Sequence, residues 1–135
     1  MKVEFVIKGK PVPKERPRVL KNGIAYTPKK TKDYEQLVQQ VYELQVGEYL
    51  GESALMVEID FYYTIPKSYT KKHRESIISG QELYTKRPDL DNLAKTVTDA
   101  LNGIAYKDDS QIIEMKLSKH YSDEEKVVVS IEELF

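Results

Sequence analysis

The stretch of sequence that most constrains the fold is residues 55–63, LMVEIDFYY. Apolar and more polar side chains alternate along most of it, which is the period of a β-strand with one buried face. Pro66 follows closely and predicts the end of that strand. A strand with one apolar face needs other elements to cover it, so we expect helices packed against one side of a sheet.

Two helices are predicted on either side of this strand. Apolar residues recur at near-helical spacing over residues 31–49, after a Thr-Lys-Asp start signal, and this helix is expected to end near Gly47 or Gly51. Between residues 91 and 102 apolar residues again share one face, and Gly103 is expected to follow the C-cap.

The remaining strands and loops follow from shorter patterns. Residues 3–7, 113–117 and 127–131 alternate as strands, and we expect the last two to pair as a hairpin. Asn22-Gly23, between short apolar runs, predicts a tight type I′ hairpin. Residues 66–88 show no sustained period, which indicates a long loop with room for a short helix near residues 71–79.

The order of elements predicts one α+β domain spanning residues 1–135. It comprises a mixed sheet with two helices packed on it, in the order strand, hairpin, helix, strand, helix, strand, strand. The chain has no cysteine, which excludes disulfide frameworks and thiolate zinc sites and is typical of the cytoplasm. No apolar run is long enough to span a bilayer and the start lacks a secretory pattern, so we expect no membrane association.

Charge is unevenly distributed along the chain. The formal net charge is -1, but residues 8–32 carry nine Lys or Arg against one acid, and residues 66–87 carry six against two. Two basic segments of this kind fit a polyanion such as DNA, although a pair of solvated loops has the same composition. The residues that we expect to contact DNA are Lys14, Arg16, Arg18, Lys71, Lys72, Arg74 and Arg87.

The stretch that carries chemistry is residues 87–95, RPDLDNLAK, followed by the pair Asp108-Asp109. Asp89 and Asp91 are two residues apart in an extended approach to the second helix, so both carboxylates are expected to face one ion. Asp91 is also expected to cap this helix, with Lys95 one turn further on. Ligand sets made only of oxygen suit Mg²⁺ or Mn²⁺ rather than zinc, and such sites serve phosphoryl transfer.

A simpler interpretation of the same residues remains open. Asp89 and Asp91 are also favourable in the first turn of a helix because of the helix dipole, and Lys95 is then an ordinary i,i+4 partner of Asp91. Asp99 and Asp108 are weaker candidates for a catalytic role, since each also fits a solvated surface acid. His73 and His120 are interpreted as residues that contact solvent or DNA rather than metal.

Residues 89–95 (DLDNLAK), 99–103 (DALNG) and 108–111 (DDSQ) together resemble the signature of RusA-type Holliday junction resolvases. That pattern has a DLDN run, a lysine four residues after its second acid, a D-A-L near the helix end and a D-D pair. Each element occurs here in the same order and at closely similar spacing. Residues 11–18, PVPKERPR, are also similar to a segment of phage-borne Gram-positive members.

The resemblance implies a homodimer that binds four-way DNA junctions and nicks two strands symmetrically, using Mg²⁺ or Mn²⁺, in recombination and repair. Asp89, Asp91 and Asp109 resemble the metal-binding carboxylates of the family, and Lys95 resembles its essential lysine. Two alternatives stay open: a non-catalytic branched-DNA-binding protein of the same fold, and a metal-dependent enzyme acting on small phosphate esters or nucleotide sugars. A lack of any glycine-rich phosphate loop disfavours the second alternative.

Overall fold

A computed structural model describes residues 1–135, the whole chain. The strands are β1 (Lys2–Lys8), β2 (Arg18–Val19), β3 (Ala25–Tyr26), β4 (Ala54–Thr64), β5 (Ile112–Ser122) and β6 (Lys126–Leu134). The helices are α1 (Lys29–Gln45), α2 (Lys71–Ile78) and α3 (Leu90–Ala100), and a short 3₁₀ turn (Asp109–Gln111) precedes β5. The predicted α+β domain with a mixed sheet is confirmed, with three helices rather than two. The added helix is α2, in the long loop where the sequence left room for it.

The main sheet has the order β1-β6-β4-β5. β4 and β5 are parallel, whereas β6 is antiparallel to both β1 and β4. The predicted hairpin of the last two strands is therefore wrong: the connection from β5 to β6 passes the end of β4, and β6 pairs between β4 and β1. Burial explains this order: β6 buries Val127, Val129 and Ile131, while β5 exposes Ile113 and Met115 and forms an edge.

The core lies on one face of the sheet, as the alternation in residues 55–63 predicts. Every second side chain of β4, from Leu55 to Tyr63, is buried, and the intervening side chains are half-buried on the opposite face. Two helices cover the buried face. They contribute mainly Tyr34, Val38 and Tyr42 from α1, and Leu93, Ala94, Val97 and Ala100 from α3. No helix is both long and apolar enough to cross a bilayer.

β2 and β3 form the hairpin predicted around Asn22 and Gly23, but with a different turn. The N–H of Gly23 donates to the carbonyl of Leu20 (2.9 Å), and Gly23 has φ +85°. No residue other than glycine has positive φ, so Asn22 cannot adopt the type I′ geometry, which needs positive φ at both central residues. The turn is instead a longer loop in which Gly23 takes the left-handed position.

Both long helices end close to the predicted glycines. After α1, Gly47 has φ +72° and its N–H donates to the carbonyl of Tyr42 (2.9 Å). α3 stops at Ala100, two residues before the predicted end, with Leu101 as C-cap. The Tyr106 hydroxyl donates to the Thr98 carbonyl (2.7 Å) and satisfies one of the carbonyls that the helix end leaves free.

Candidate active site

The candidate catalytic residues of α3 lie on the face opposite its apolar one. At about 100° per residue, Asp91, Lys95, Asp99 and Asn102 fall within about 80° of one another around the helix axis. Of these, Asp91 and Lys95 are exposed, whereas Asp99 and Asn102 are half-buried. A polar stripe thus runs from the N-terminal end of α3 to just beyond its C-terminal end.

At the N-terminal end of α3, the carboxylates of Asp89 and Asp91 have no partner within the chain. The N-cap is Asp89, not Asp91 as predicted, and its side chain makes no capping hydrogen bond. Asp91 lies in the first turn, and neither carboxylate belongs to any ion pair of the chain. Capping therefore does not account for Asp89 and Asp91, which leaves their oxygens free for an external partner.

Lys95 is equally free. It is exposed, and none of the ion pairs of the chain includes it, so the i,i+4 pair with Asp91 that the simpler interpretation requires is not formed. The ammonium group lies one helical turn from Asp91 on the same face.

At the C-terminal end of α3, the acids are tied into the fold. The backbone N–H of Asp109 donates to Asn102 Oδ1 (2.8 Å), and the carboxyl group of Asp99 lies close to that of Asp109. Burial, this contact and the nearby charges of Asp99 and Asp108 raise the pKa of Asp109. Asp108 caps the 3₁₀ turn and accepts from the N–H of Ser110 (3.1 Å); contacts with Ser110 lower the pKa of Asp108.

Lys14 completes this end of the helix. Its Nζ lies 3.3 Å from Glu35 Oε1 and 3.4 Å from Asp99 Oδ2, and its side chain is only 18% exposed. The backbone N–H of Lys14 also donates to the carbonyl of Asn92 in α3 (2.9 Å). Lys14 therefore links the proline-rich segment, α1 and α3, and Asp99 is a half-buried ion-pair partner rather than a solvated surface acid.

The predicted three-acid cluster is divided between the two ends of α3. Asp91 and Asp99 are eight residues apart, about 12 Å along the helix axis at 1.5 Å per residue. No group of three or more Asp, Glu or His side chains is placed to hold a metal ion, so Asp109 does not join Asp89 and Asp91 within one chain. The free pair still fits Mg²⁺, because that ion commonly takes one or two carboxylates and keeps several waters.

A cavity of about 620 Å³ adjoins the N-terminal end of α3. Its wall combines cations, tyrosines, prolines and one face of the α3 N-terminus: Lys10, Pro11, Pro13, Lys14, Lys30, Tyr63, Tyr84, Arg87, Pro88, Asp89 and Asn92. Of these, only Lys14, Arg87 and Asp89 were candidates from sequence. The clearest signal for Lys10 and Lys30 was their place in the basic segment of residues 8–32.

The other predicted DNA-contacting residues are distributed over two regions. Arg16 and Arg18 are exposed, the first just before β2 and the second within it. The guanidinium of Arg18 lies 3.8 Å from the carboxylate of Glu15. Lys71 and Lys72 are exposed in the first turn of α2.

Arg74 and the two histidines bind other parts of the chain. Arg74 is half-buried and donates to the Pro66 carbonyl (3.2 Å), so it helps to hold the loop that contains α2. His73 is bonded to Glu82 (2.7 Å) and His120 to Asp60 (2.8 Å). Both histidines therefore have carboxylate partners within the fold.

Comparison with known proteins gives two findings. The family model described as "Endodeoxyribonuclease RusA" matches residues 8–132. The uncharacterized protein YqaN of Bacillus subtilis (strain 168) is 37% identical over 137 residues, which cover 98% of this chain and 96% of that protein. The family match extends well beyond the acidic motif and includes both basic segments.

Proposed function

The chain belongs to the RusA endodeoxyribonuclease family, and we propose that it is a Mg²⁺-dependent, structure-selective endonuclease that resolves four-way DNA junctions by paired symmetric nicks. Mn²⁺ is expected to substitute for Mg²⁺. The observation that carries the proposal is the free pair Asp89 and Asp91 beside an unpaired Lys95. Three charged groups without partners on one exposed helix end are what a cation and a phosphate would need.

Each residue has a role that follows from its position. Asp89 and Asp91 would hold the divalent cation, which when bound supplies an activated water and offsets phosphate charge. Lys95, one turn along the same face, would stabilise the negative charge that grows on the phosphate oxygens during cleavage. Asp109 is proposed as the third acid that cleavage requires, although in one chain it lies at the opposite end of α3.

The DNA surface is proposed to follow the basic segments. Arg16, Arg18, Lys71 and Lys72 are exposed and carry flexible cationic side chains suited to backbone phosphates. Arg87 lies on the wall of the cavity next to Asp89, where it would contact the strand that is cut. Lys14 is paired with Glu35 and Asp99, and Arg74 donates to the Pro66 carbonyl. These two residues, which were also predicted to contact DNA, would instead stabilise the segments that form this surface.

We also propose a homodimer, because two identical active sites related by a two-fold axis match a junction whose arms are related in the same way. β5 is suited to an interface. It is an edge strand that leaves Ile113 69% and Met115 40% exposed, and unpaired edges with apolar side chains favour association. Sedimentation equilibrium of the purified protein should give twice the mass of one chain, and a mass equal to one chain at micromolar concentration would refute the dimer.

Cleavage of a synthetic mobile four-way junction, beside linear duplex of the same sequence, tests the proposal most directly. With Mg²⁺ the junction should be cut by paired nicks at symmetric positions, and the duplex should stay intact. Addition of EDTA should stop cleavage but not binding. Junction binding without cleavage in Mg²⁺ or Mn²⁺ would instead indicate the non-catalytic binding protein, and hydrolysis of small phosphate esters alone would indicate the metal-dependent enzyme acting on small phosphate esters.

A further inference from the structure

The cavity beside α3 contains more positive charge than the fold itself uses. Lys10, Lys30 and Arg87 line it, and none of the three belongs to an ion pair, whereas Lys14 in the same wall is paired with Glu35 and Asp99. Asp89 is the only carboxylate in the wall. Unpaired cations converging on one concave surface favour an anionic ligand.

The rest of the same wall consists mainly of tyrosine and proline side chains. Tyr63 and Tyr84 are stacked with their ring centroids 4.5 Å apart, and three prolines contribute further apolar surface. At about 620 Å³ the cavity is within the usual range of about 300–1,000 Å³ for sites that take a drug-sized ligand. A planar ring with an attached phosphate would therefore match both the shape and the charge.

A buried polar atom adds a third requirement. Tyr63 is 3% exposed, and its hydroxyl makes no hydrogen bond within the chain. Buried hydroxyl groups nearly always have a partner, because an unpaired one loses the free energy of its contact with water. A ligand with polar atoms on its edge would supply that partner, as a nucleobase does.

From these three observations we propose that the cavity is a subsite for one unstacked nucleotide of the strand that is cut. Its phosphate would lie among Lys10, Lys30 and Arg87, and its base would enter the tyrosine- and proline-lined wall with a polar edge towards the Tyr63 hydroxyl. A base that is already unpaired is the least costly to unstack, and Asp89 places this subsite next to the proposed cleavage site. The subsite would then set the sequence preference of cleavage; this inference rests on the proposed function.

An abasic scan of the junction tests the base contact. Single abasic nucleotides are placed at each position around the branch point of an immobile junction, and affinity is measured in EDTA so that cleavage is not required. One position should lose about fivefold or more in affinity, since stacking of one base on aromatic side chains contributes about 1–3 kcal/mol. A flat scan would overturn the subsite.

Tyr63→Phe and Tyr62→Phe form a matched pair of variants. Both remove one hydroxyl from neighbouring residues of β4, but Tyr62 lies on the opposite, half-exposed face of the sheet and stacks on His120. Tyr63→Phe should not lower Tm, because its hydroxyl has no partner in the chain. It should reduce the discrimination among the four bases at the sensitive position, while Tyr62→Phe keeps wild-type discrimination. Equal behaviour of the two variants would count against the base-edge contact.

Lys30→Gln and Lys29→Gln test the phosphate contact in the same way. Lys29 Nζ lies 3.0 Å from Asp33 Oδ2 and is absent from the cavity wall, whereas Lys30 lines it. Lys30→Gln should reduce the slope of log affinity against log salt by about 0.9, and Lys29→Gln should leave it unchanged. A reduced slope in both variants, or in neither, would contradict a phosphate contact specific to Lys30.

Photocrosslinking locates the base directly. A 5-iododeoxyuridine at the sensitive position should crosslink to Tyr84 or Tyr63, as mapped by mass spectrometry. A crosslink outside the cavity, in a protein that still binds and cuts junctions, would overturn the subsite and leave the proposed function standing. Failure to bind or cut junctions in preference to duplex would overturn the proposed function, and the subsite with it.

Discussion

Each end of α3 carries two aspartates, but only those at the C-terminal end have partners within the fold. At the N-terminal end, Asp89 and Asp91 form no ion pair, and the side chain of the N-cap Asp89 accepts no hydrogen bond from the backbone of the helix. At the C-terminal end, Asp99 lies beside Asp109, and the Nζ of Lys14 lies 3.4 Å from Asp99 Oδ2. Lys14 offsets the charge of Asp99, whereas no cation in the chain offsets the charge of Asp89 or Asp91.

This difference separates a structural role from a functional one. A half-buried carboxylate that is paired with a cation, such as Asp99, belongs to the fold, and its loss should first change the free energy of unfolding. Carboxylates that stay unpaired at an exposed helix end give little stability, so their loss should first change activity. The four predictions below test that division, in order of decreasing effect.

The largest effect is expected from Asp89→Asn or Asp91→Asn. Loss of groups that only support a metal ligand costs about 10–100-fold, so loss of a direct ligand should lower junction cleavage by about 100-fold or more. Binding in metal-free buffer should persist or tighten, because a charge that repels phosphate is removed. Single-turnover cleavage and electrophoretic mobility shift in EDTA measure the two quantities.

Asp109→Asn extends this comparison to the other end of the helix. A loss of cleavage as large as that of Asp91→Asn would place Asp109 in the catalytic site, as we propose. Normal cleavage would restrict that site to the N-terminal end of α3.

If Asp89→Asn and Asp91→Asn lose binding together with cleavage, the metal-ligand role of both residues is wrong.

A smaller effect is expected from Lys95→Ala. Removal of one group that stabilises transition-state charge should lower the rate constant for cleavage about tenfold or more, with no comparable loss of junction affinity. Lys95→Arg retains the positive charge and serves as the control, with part of the activity retained. A Lys95→Ala enzyme that cleaves normally would make Lys95 an ordinary surface residue.

Lys14→Met should affect stability rather than salt dependence. The side chain is 18% exposed between Glu35 and Asp99, so its removal leaves two half-buried acids without a partner. We expect a loss of about 1–2 kcal/mol in the free energy of unfolding, between the values for exposed and fully buried pairs. Urea denaturation measures it, with Lys29→Met as the control, since the Lys29–Asp33 pair is exposed and should contribute about 0.3–0.5 kcal/mol.

A variant that also carries Asp99→Asn sharpens this test. If Lys14 acts through Asp99, the second substitution should restore part of the lost stability by removing the uncompensated charge. Full additivity of the two changes would show that Lys14 stabilises the fold through Glu35 alone.

The smallest effects are expected from the exposed basic residues. Each phosphate contact contributes about 0.9 to the slope of log affinity against log salt, so Arg16→Ala with Arg18→Ala, or Lys71→Ala with Lys72→Ala, should reduce that slope by up to about 1.8. Fluorescence anisotropy at several salt concentrations measures it. A pair of substitutions that keeps the wild-type slope would remove its segment from the DNA surface.

Local patterns were sufficient for most elements. Alternation over residues 55–63 predicted β4 and its buried face, and near-helical spacing predicted α1 and α3, because these periods arise from backbone geometry alone. Gly47 ends α1 as expected, since its positive φ suits only a residue without a side chain. The acidic motif and its lysine were visible for the same reason: they lie within two turns of one helix.

Contacts between residues that are far apart in the chain depend on how the elements pack. Pairing of β6 with β1 and β4 depends on which strand buries more apolar surface, and no neighbouring sequence signals that competition. The ion pairs of Lys14 with Glu35 and Asp99, and the cavity that Lys30 and Tyr63 share with Asp89, likewise join residues far apart in the chain. The family, the two long helices and the candidate acids follow from the sequence alone, because local spacing carries them. Long-range packing sets which acids meet a cation within the fold and which stay free.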